Sequence, residues 1–410
     1  MTSRPLLFYS GWPLGYHNLE AERKARALAL AGYEVVYIAG IGIRNPRPSS
    51  VPKLLDRVGR KLRDRVGAAA APSAGEPLPE GLRTASLLVA PPRQVAAVRR
   101  RNAAWVQRQV RAAMPRVEDA IVWLRWPTPE LVDALEGLRP CRVVYECVDA
   151  YDQTPGITGR WAPIFARAER DLVDLADRVV VPSEPLAERF RRWDAQVEIV
   201  PHGVDLAPWN AAKPRDERPV TVGFVGTLDY KLEIPVLREV ACARPEWRLR
   251  LIGPVQEGFD PADLADLANV TVEPAVPASA VPSLIGSFDL GIMPYFDHPC
   301  YAQSTPLKNL EYMAQGKPAV ARWTPSLEAY RDLLTFASTP EEYVAGLERE
   351  LARDSPDRSR ARRTIAEGSS WEKRLHEIVQ VAEGLAPPSN DRPAAGPERA
   401  TAPAFGRSAS

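Results

Sequence analysis

Residues 304–318, STPLKNLEYMAQGKP, predict a short helix with two different faces. Thr305 is a favourable N-cap residue, and Pro306 suits the first helical position because its missing N–H needs no partner there. Gly316 ends the helix. Apolar residues recur at i, i+3 and i+7, and polar residues recur at the same spacing on the opposite side. The apolar stripe is Leu307, Leu310 and Ala314, and the polar face is Lys308, Glu311 and Gln315.

The polar face of this helix has the chemistry of an anion and ribose site. Unpaired N–H groups and a partial positive charge at a helix start attract an anion such as a diphosphate. Glu311, on the same side as Ser304, can accept two hydrogen bonds from a ribose diol. Taken alone, the segment also fits an ordinary capped surface helix, in which a Lys308–Glu311 pair contributes about 0.2–0.5 kcal/mol. The rest of the chain has to decide between the two interpretations.

Short apolar runs alternate with helical patterns along most of the chain, which is typical of parallel sheets covered by helices. The pattern starts at Leu6, includes a predicted strand at Leu87–Ala90, pauses at the turn-rich residues 201–205 and restarts at Val220. We therefore predict an α/β protein with two doubly wound, Rossmann-like domains facing across a cleft. The domains are residues 1–203 and 204–370, and residues 386–410, rich in Pro, Ala, Ser and Gly, are predicted to be a disordered tail.

The composition fits a two-domain protein with an uneven charge distribution. The chain has 410 residues, 45% of them hydrophobic, and a net charge of +1. Residues 44–116 contain 16 Lys or Arg against 4 Asp or Glu, a net charge of +12, which leaves about −11 elsewhere. This basic region can face an anionic lipid, a nucleic acid or an anionic substrate, and composition alone does not choose among them. The function predicted below involves no nucleic-acid partner. Residues 53–66 form a basic amphipathic pattern that fits either a lipid interface or a solvated helix.

Cysteines and apolar segments point to the cytoplasm. None of the four cysteines forms a CxxC pair or has a histidine at zinc-binding spacing, so we expect reduced thiols and no metal site. The N-terminal apolar run is too short for a signal peptide, and no stretch approaches the roughly 20 apolar residues of a membrane span. Any membrane contact is therefore expected to be peripheral, at the inner face.

Four motifs carry a resemblance to a known family. They are HGVD at 202–205, GFVGTL at 223–228, LIGP at 251–254 and PLKNLEYMAQGKP at 306–318. In this order they resemble the GT-B glycosyltransferases, most closely the retaining group 1 (family 4) type, over most of residues 1–385. The resemblance implies that the second domain binds a nucleotide sugar and the first binds a hydroxyl acceptor. It also implies that no metal or further cofactor is needed, and that residues 371–385 form a helix crossing back to the first domain.

Position by position, the resemblance assigns roles at the donor site. Glu311 would hold the ribose hydroxyls, backbone N–H groups from Ser304 to Leu307 would bind the diphosphate, and Lys231 would neutralise its charge. Such fixed donors and cations stabilise the charge that develops on the leaving diphosphate. The expected donor-binding residues are Gly226, Lys231, Gly253, Gln303, Ser304, Thr305, Pro306, Leu307, Lys308 and Glu311.

Three positions depart from the family pattern. Gln303 stands where the family places a first glutamate, eight residues before the second, and an amide cannot supply a carboxylate near a developing oxocarbenium. Thr227 stands where arginine is frequent. The first loop, GWPLGYHN at 11–18, lacks the usual paired glycines. These departures leave the donor sugar and the stereochemical outcome open.

Catalytic and acceptor candidates follow the predicted strands of the first domain. Asp149, after the strand that ends at Cys147, can act as the general base that deprotonates the acceptor, or can cap a loop. His17, in the first loop, is placed for a sugar or diphosphate contact, or is an ordinary loop residue. Arg125 and Trp126 can grip an acceptor, or stack on each other as a static pair. Glu146 is interpreted as an ordinary strand-end charge.

The predicted function is transfer of a sugar from a nucleotide diphosphate donor to a hydroxyl of a glycan, lipid or natural product, without a metal. One alternative is a sugar-nucleotide epimerase of the same fold, which would need no acceptor. The other is a degenerate glycosyltransferase that acts only as a partner protein, an interpretation that Gln303 and Thr227 keep open.

Overall fold

The computed structural model describes residues 4–14, 19–39, 41, 77–153, 157, 159–206, 219–298, 303 and 305–384. Within them the chain forms two parallel sheets, one from residues before the 201–205 turn and one from residues after it. His17, Ser304, Cys300, the basic segment 53–66 and the predicted tail 386–410 lie outside the described residues.

The first sheet has seven parallel strands in the order β3-β2-β1-β4-β5-β6-β7. The strands are β1 Arg4–Ser10, β2 Tyr33–Ala39, β3 Leu82–Ser86, β4 Ile121–Leu124, β5 Arg142–Glu146, β6 Arg178–Val181 and β7 Val197–Ile199. Its helices are α1 Leu19–Leu30, α2 Ala96–Ala113, α3 Pro129–Leu138, α4 Trp161–Leu175 and α5 Glu184–Arg191. Central strand β1 is buried along residues 5–10, as a parallel strand covered on both faces must be.

The second sheet has six parallel strands in the order β10-β9-β8-β11-β12-β13. The strands are β8 Thr221–Val225, β9 Arg248–Ile252, β10 Val270–Glu273, β11 Leu290–Met293, β12 Ala319–Ala321 and β13 Thr335–Phe336. The helices that follow are α6 Ile234–Ala243, α7 Val281–Gly286, α8 Leu307–Ala314, α9 Pro340–Arg353, α10 Pro356–Gly368 and α11 Trp371–Glu383. The prediction of two doubly wound α/β sheets is confirmed.

The last helix packs on the first sheet although it follows the second in the chain. Ile378, Val381 and Ala382 of α11 are buried in the same cluster as Leu6 and Val35. Ser370 caps the start of α11 by accepting from the Lys373 N–H at 3.4 Å. The two halves are therefore connected twice, through residues 201–205 and through α11.

Helix α8 contains the polar face singled out in the sequence, and its position is set by Tyr312. The Tyr312 hydroxyl donates to the Gly223 carbonyl at 3.1 Å, on the central strand β8. An added Cβ at Gly291 would lie 2.7 Å from the Tyr312 ring, so strand β11 must have a glycine there. This contact orients α8 so that its apolar side is buried and Glu311 faces outward.

Two local predictions are wrong. Pro306 is the extended N-cap residue and not the first helical residue, since α8 starts at Leu307. The third strand is Leu82–Ser86 rather than Leu87–Ala90. Leu82–Ser86 contains polar residues because it lies at the edge of the sheet, beside β2 alone, and edge strands need less apolar surface.

Candidate active site

A cleft of about 650 Å³ lies between the two halves. From the first half it is bordered by Trp12, Glu20 and Arg23, and from the second by Gly226, Lys231, Gly253, Lys308 and Glu311. These residues follow the carboxyl ends of parallel strands, which is where ligands bind in such sheets. With Leu307, which also borders the cleft, the structure thus brings together six residues predicted for the donor site.

Two glycines shape the floor of the cleft where β8 and β9 end. Gly226 has a φ of +153° and Gly253 a φ of +152°, a region that residues with a Cβ rarely adopt. A Cβ on Gly226 would overlap the end of the Lys308 side chain, and a Cβ on Gly253 would overlap the Gly226 carbonyl oxygen. The Lys308 ammonium, 5.2 Å from the centroid of Phe224, therefore rests directly on the backbone of Gly226.

Glu311 lies one turn beyond Lys308 on the same face of α8. Its side chain is half-buried at the cleft, and within the described residues its carboxylate has no hydrogen bond or ion pair. Burial raises the pKa of Glu311; Lys308 opposes the shift and Asp205 adds to it. The carboxylate oxygens are consequently available to accept hydrogen bonds from a ligand.

Lys231 contributes a second cation to the cleft. Its Nζ lies 3.5 Å from Oδ2 of Asp229, and its backbone N–H donates to the same carboxylate at 3.0 Å. Burial would lower the pKa of Lys231, but Asp229, followed by Asp149, outweighs it and raises the pKa. The ammonium therefore stays protonated at neutral pH.

The loop before α8 contacts the first half of the chain. The Gln303 carbonyl accepts from the Ser183 hydroxyl at 3.0 Å. Gln303 Oε1 and Thr305 Oγ1 are buried, and among the described residues neither has a hydrogen-bond partner. Thr305 and Pro306 border a second, smaller cavity, whereas Leu307 borders the main cleft. Pro306 has no N–H, so the backbone donors at this helix start come from its neighbours.

The acceptor contacts predicted for Arg125 and Trp126 stay predictions; the structure places Arg125 in a buried ion-pair network and leaves Trp126 partly buried. Arg125 is 3% exposed, and its guanidinium pairs with Glu146 at 3.0 Å and Glu20 at 3.3 Å. Trp126 packs among core aromatics, with its ring centroid 4.1 Å from that of Tyr151. Arg125 points inward because its carboxylate partners are buried, whereas Trp126 keeps part of its surface exposed.

Glu146 is not the ordinary strand-end charge predicted from the sequence. It is 1% exposed and accepts hydrogen bonds from Lys24 at 2.6 Å and from the Trp123 indole at 2.8 Å. Burial would raise the pKa of Glu146, but Arg125 and Lys24 outweigh it and lower the pKa. The carboxylate is therefore a buried anion.

This buried charge network reaches the cleft through Glu20. Glu20 binds Lys24 at 2.6 Å, and its Oε1 lies 3.2 Å from His202 Nδ1 in the HGVD motif. Burial would raise the pKa of Glu20, but Lys24, His202 and Arg125 hold it well below its usual range. The available signal in the sequence was the i, i+4 spacing of Glu20 and Lys24, which predicts an ion pair on one helix. This spacing does not show which residues of other strands join the pair.

Asp149 lies at the edge of the second cavity, half-buried and near enough to Lys231 to raise the pKa of that lysine.

Beside the main cleft, Arg23 of the first half pairs with Asp205 of the second, and its guanidinium lies 5.2 Å from the Trp371 ring. Sequence reasoning did not predict Trp12, although it lies in the first loop quoted above, or Arg23, which no motif marked.

The described residues contain no group of three or more His, Cys, Asp or Glu side chains arranged to hold a metal ion. Over the same residues, no helix combines the length and apolar character needed to cross a membrane.

Comparisons with known proteins agree with this geometry. Residues 21–208 match the family model described as Glycosyltransferase Family 4, and residues 219–352 match the one described as Glycosyl transferases group 1. The chain is 25% identical over 288 residues to the putative teichuronic acid biosynthesis glycosyltransferase TuaH of Bacillus subtilis (strain 168), covering 64% of this chain and 72% of TuaH.

Solved structures share the fold at low identity. Anabaena Alr3699/HepE in complex with UDP-glucose superposes with a TM-score of 0.60 at 14% identity, covering 93% of this chain and all of that one. The OtsA apo structure gives a TM-score of 0.64 at 13% identity, covering 94% of this chain and all of that one. With two family models matching its two halves in order, this chain is a glycosyltransferase enzyme with the GT-B fold.

Proposed function

We propose that this glycosyltransferase transfers a sugar from a UDP-sugar to a hydroxyl of a glycan acceptor without a metal ion. The observation that carries the proposal is the arrangement of α8, where Glu311 and Lys308 face one cleft and Lys308 rests on Gly226. Glu311 binds the ribose diol and Lys308 binds the diphosphate. Lys231 binds the diphosphate from the other side, toward the transferred sugar.

The far end of the cleft is suited to a nucleotide base that carries carbonyl oxygens. It is bordered by the apolar residues Val276, Val281 and Ile285 and by Gln315. Gln315 is 6% exposed, and its Nε2 has no hydrogen-bond partner in the part of the chain that the structure describes. An unpaired buried amide N–H is costly, so a base carbonyl that accepts from it stabilises the complex. Uracil has such oxygens and adenine has none, and HepE was solved with UDP-glucose.

In the reaction, the bond between the anomeric carbon and the diphosphate oxygen breaks while the acceptor oxygen bonds to that carbon. The charge left on UDP is stabilised by Lys231, Lys308 and the backbone N–H groups at the start of α8. These two lysine side chains support the proposal that the reaction needs no metal ion. Asp149, near Lys231, is the carboxylate proposed to take the acceptor proton.

The glycan acceptor is supported by the relative TuaH, whose name places it in teichuronic acid biosynthesis. Trp12, 49% exposed at the edge of the cleft on the first half, offers an aromatic face that a sugar can stack on.

A nucleotide titration tests the donor assignment. We expect UDP to raise the unfolding temperature more than ADP, whose base has no carbonyl oxygen, at equal concentration. Lys231→Ala and Glu311→Ala should each weaken UDP binding about tenfold or more, since each removes a hydrogen bond to or from a charged group. Glu136→Ala, at an exposed position on α3, is the matched control and should bind UDP as the wild type does.

Turnover tests the reaction. UDP release from UDP-glucose should accelerate when a glycan acceptor is added, whereas an epimerase would turn over at the same rate without one. Asp149→Asn should lower the rate with acceptor while leaving UDP affinity unchanged. Wild-type turnover in both Lys231→Ala and Glu311→Ala would show that the donor lies elsewhere.

A further inference from the structure

A second cavity, of about 350 Å³, opens beside the proposed donor site. Lys231 borders both cavities, whereas Glu311 borders only the main cleft and Asp149 borders only the second cavity. Its volume is within the range of about 300–1,000 Å³ that is usual for small-molecule sites. The second cavity therefore begins at Lys231, where the diphosphate of the proposed donor ends and its transferred sugar must lie.

The walls of the second cavity are two loops fixed by hydrogen bonds. One loop follows β11, where the Phe296 N–H donates to the Lys231 carbonyl at 2.9 Å. The other follows β12 and carries Arg322, whose Nε donates to the Tyr295 carbonyl at 2.6 Å and whose Nη2 binds Glu233 at 2.8 Å. Arg322 thus ties one wall to the other. A cavity fixed in this way is ready for a ligand without a large ordering cost.

Aromatic rings line these walls. Phe296 lies 6.1 Å from Tyr230 and 5.3 Å from His298, measured between ring centroids. On the loop that follows β12, Trp323 is 46% exposed, and its indole N–H donates to Glu328 at 2.6 Å, which holds the ring at the cavity edge. Aromatic faces beside polar groups suit the C–H faces of sugar rings.

Polar groups are present among the rings. Thr305, at the lining of the second cavity, has a buried Oγ1 that makes no hydrogen bond to any other described residue. Because an unpaired buried hydroxyl costs free energy, a ligand hydroxyl that pairs with it is favoured. Asp149 adds a carboxylate at the end nearest Lys231, where the acceptor hydroxyl would have to lose its proton.

We propose that the second cavity binds a glycosyl residue of the acceptor, stacked between Phe296 and Trp323, so that the second domain as well as the first holds the acceptor. The inference rests on the proposed function, because it places the acceptor relative to a donor in the main cleft. The transferred sugar is covalently attached to the diphosphate and lies at Lys231. The cavity beyond Lys231 therefore belongs to the other reactant.

Binding of simple glycans with UDP present tests this inference. The probes are maltose, cellobiose, chitobiose and a galacturonic acid disaccharide, titrated into the UDP-saturated protein and followed by saturation-transfer NMR. We expect at least one to bind in the millimolar range. Phe296→Ala and Trp323→Ala should each weaken it about tenfold, the equivalent of one stacking contact. Trp323→Phe, which keeps a ring, should recover most of the affinity.

Controls separate this inference from the donor assignment. Trp105→Ala, an exposed tryptophan on α2 away from both cavities, should leave glycan binding unchanged. UDP affinity, measured by calorimetry, should stay within about twofold in every variant, a change below about 0.5 kcal/mol. A protein that binds UDP but none of the four glycans keeps the proposed function and overturns the acceptor cavity. Variants that weaken UDP-glucose relative to UDP, with glycan binding intact, also overturn it, because the cavity would then hold the transferred sugar.

Discussion

Replacing Gly226 by alanine tests whether Lys308 holds the diphosphate. At the φ of +153° found for Gly226, a residue with a Cβ costs about 1–3 kcal/mol in strain. The added methyl also overlaps the end of the Lys308 side chain. Since that end is flexible and the backbone is not, we expect Lys308 to move aside. UDP then loses one charge-assisted hydrogen bond of about 1.5–3 kcal/mol, which weakens Kd about 10- to 150-fold.

Calorimetric titration of UDP into four proteins measures this effect: the wild type, Gly226→Ala, Lys308→Ala and the double variant. If displacement of Lys308 is the cause, the two single variants lose similar affinity and the double variant loses no more than either. Urea unfolding of the same proteins separates the loss of stability from the loss of binding.

Gly253→Ala is the matched comparison, because its φ of +152° is nearly the same. Here the added Cβ meets backbone, lying 2.7 Å from the Gly226 carbonyl carbon, so no side chain can move away. We expect a larger stability loss than in Gly226→Ala, above about 3 kcal/mol, since strain and backbone overlap combine. Wild-type UDP affinity in Gly226→Ala, or additive losses in the double variant, would refute the placement of the diphosphate at Lys308.

Two further predictions concern buried carboxylates. Burial raises the pKa of Glu311, and the ribose diol needs the ionised carboxylate. UDP affinity should therefore fall as the pH drops toward that raised pKa. The Glu311→Gln variant should bind UDP weakly, without this pH dependence. Because its pKa is higher in the folded state, Glu311 lowers the stability of the protein at pH values above its unfolded-state pKa. Glu311→Gln should therefore raise Tm at pH 7 by about 1–3 °C in a calorimetric scan. A lower Tm would contradict this. Glu146→Ala leaves Lys24 and Arg125 buried with Glu20 as their remaining carboxylate, and urea unfolding should show a loss of about 3–5 kcal/mol. A loss below about 1 kcal/mol, the level of an exposed pair, would mean that these charges are hydrated.

Much of the donor site could be predicted from the sequence because its parts are local. Glu311 and Lys308 lie one turn apart on a single helix, and Gly226 and Gly253 each follow a recognisable strand. Parallel strands bring their carboxyl ends to one edge of a sheet, so the convergence of these residues follows from the pattern alone. The roles in UDP binding and the domain boundaries stay predictions.

The acceptor side could not be predicted in the same way. Arg125 follows a strand end just as Asp149 does, yet it turns inward because Glu20 and Glu146 lie beneath it. Glu20 and Arg125 are separated by 105 positions in the chain, and Glu20 and His202 by 182. No short-range pattern in the sequence shows that such residues contact each other. Whether a charged side chain is buried depends on whether the fold places an oppositely charged partner beside it.

The sequence by itself determined the order of strands and helices, the two parallel sheets and the polar face of residues 307–314, because these depend on periodicity and on residues a few positions apart. Only the tertiary structure decided that Glu146 is a buried anion, that Arg125 faces the core and that a second cavity lies beyond Lys231. Each of these depends on long-range contacts, and their free energy comes from desolvation and pairing that exist only once the two sheets have assembled.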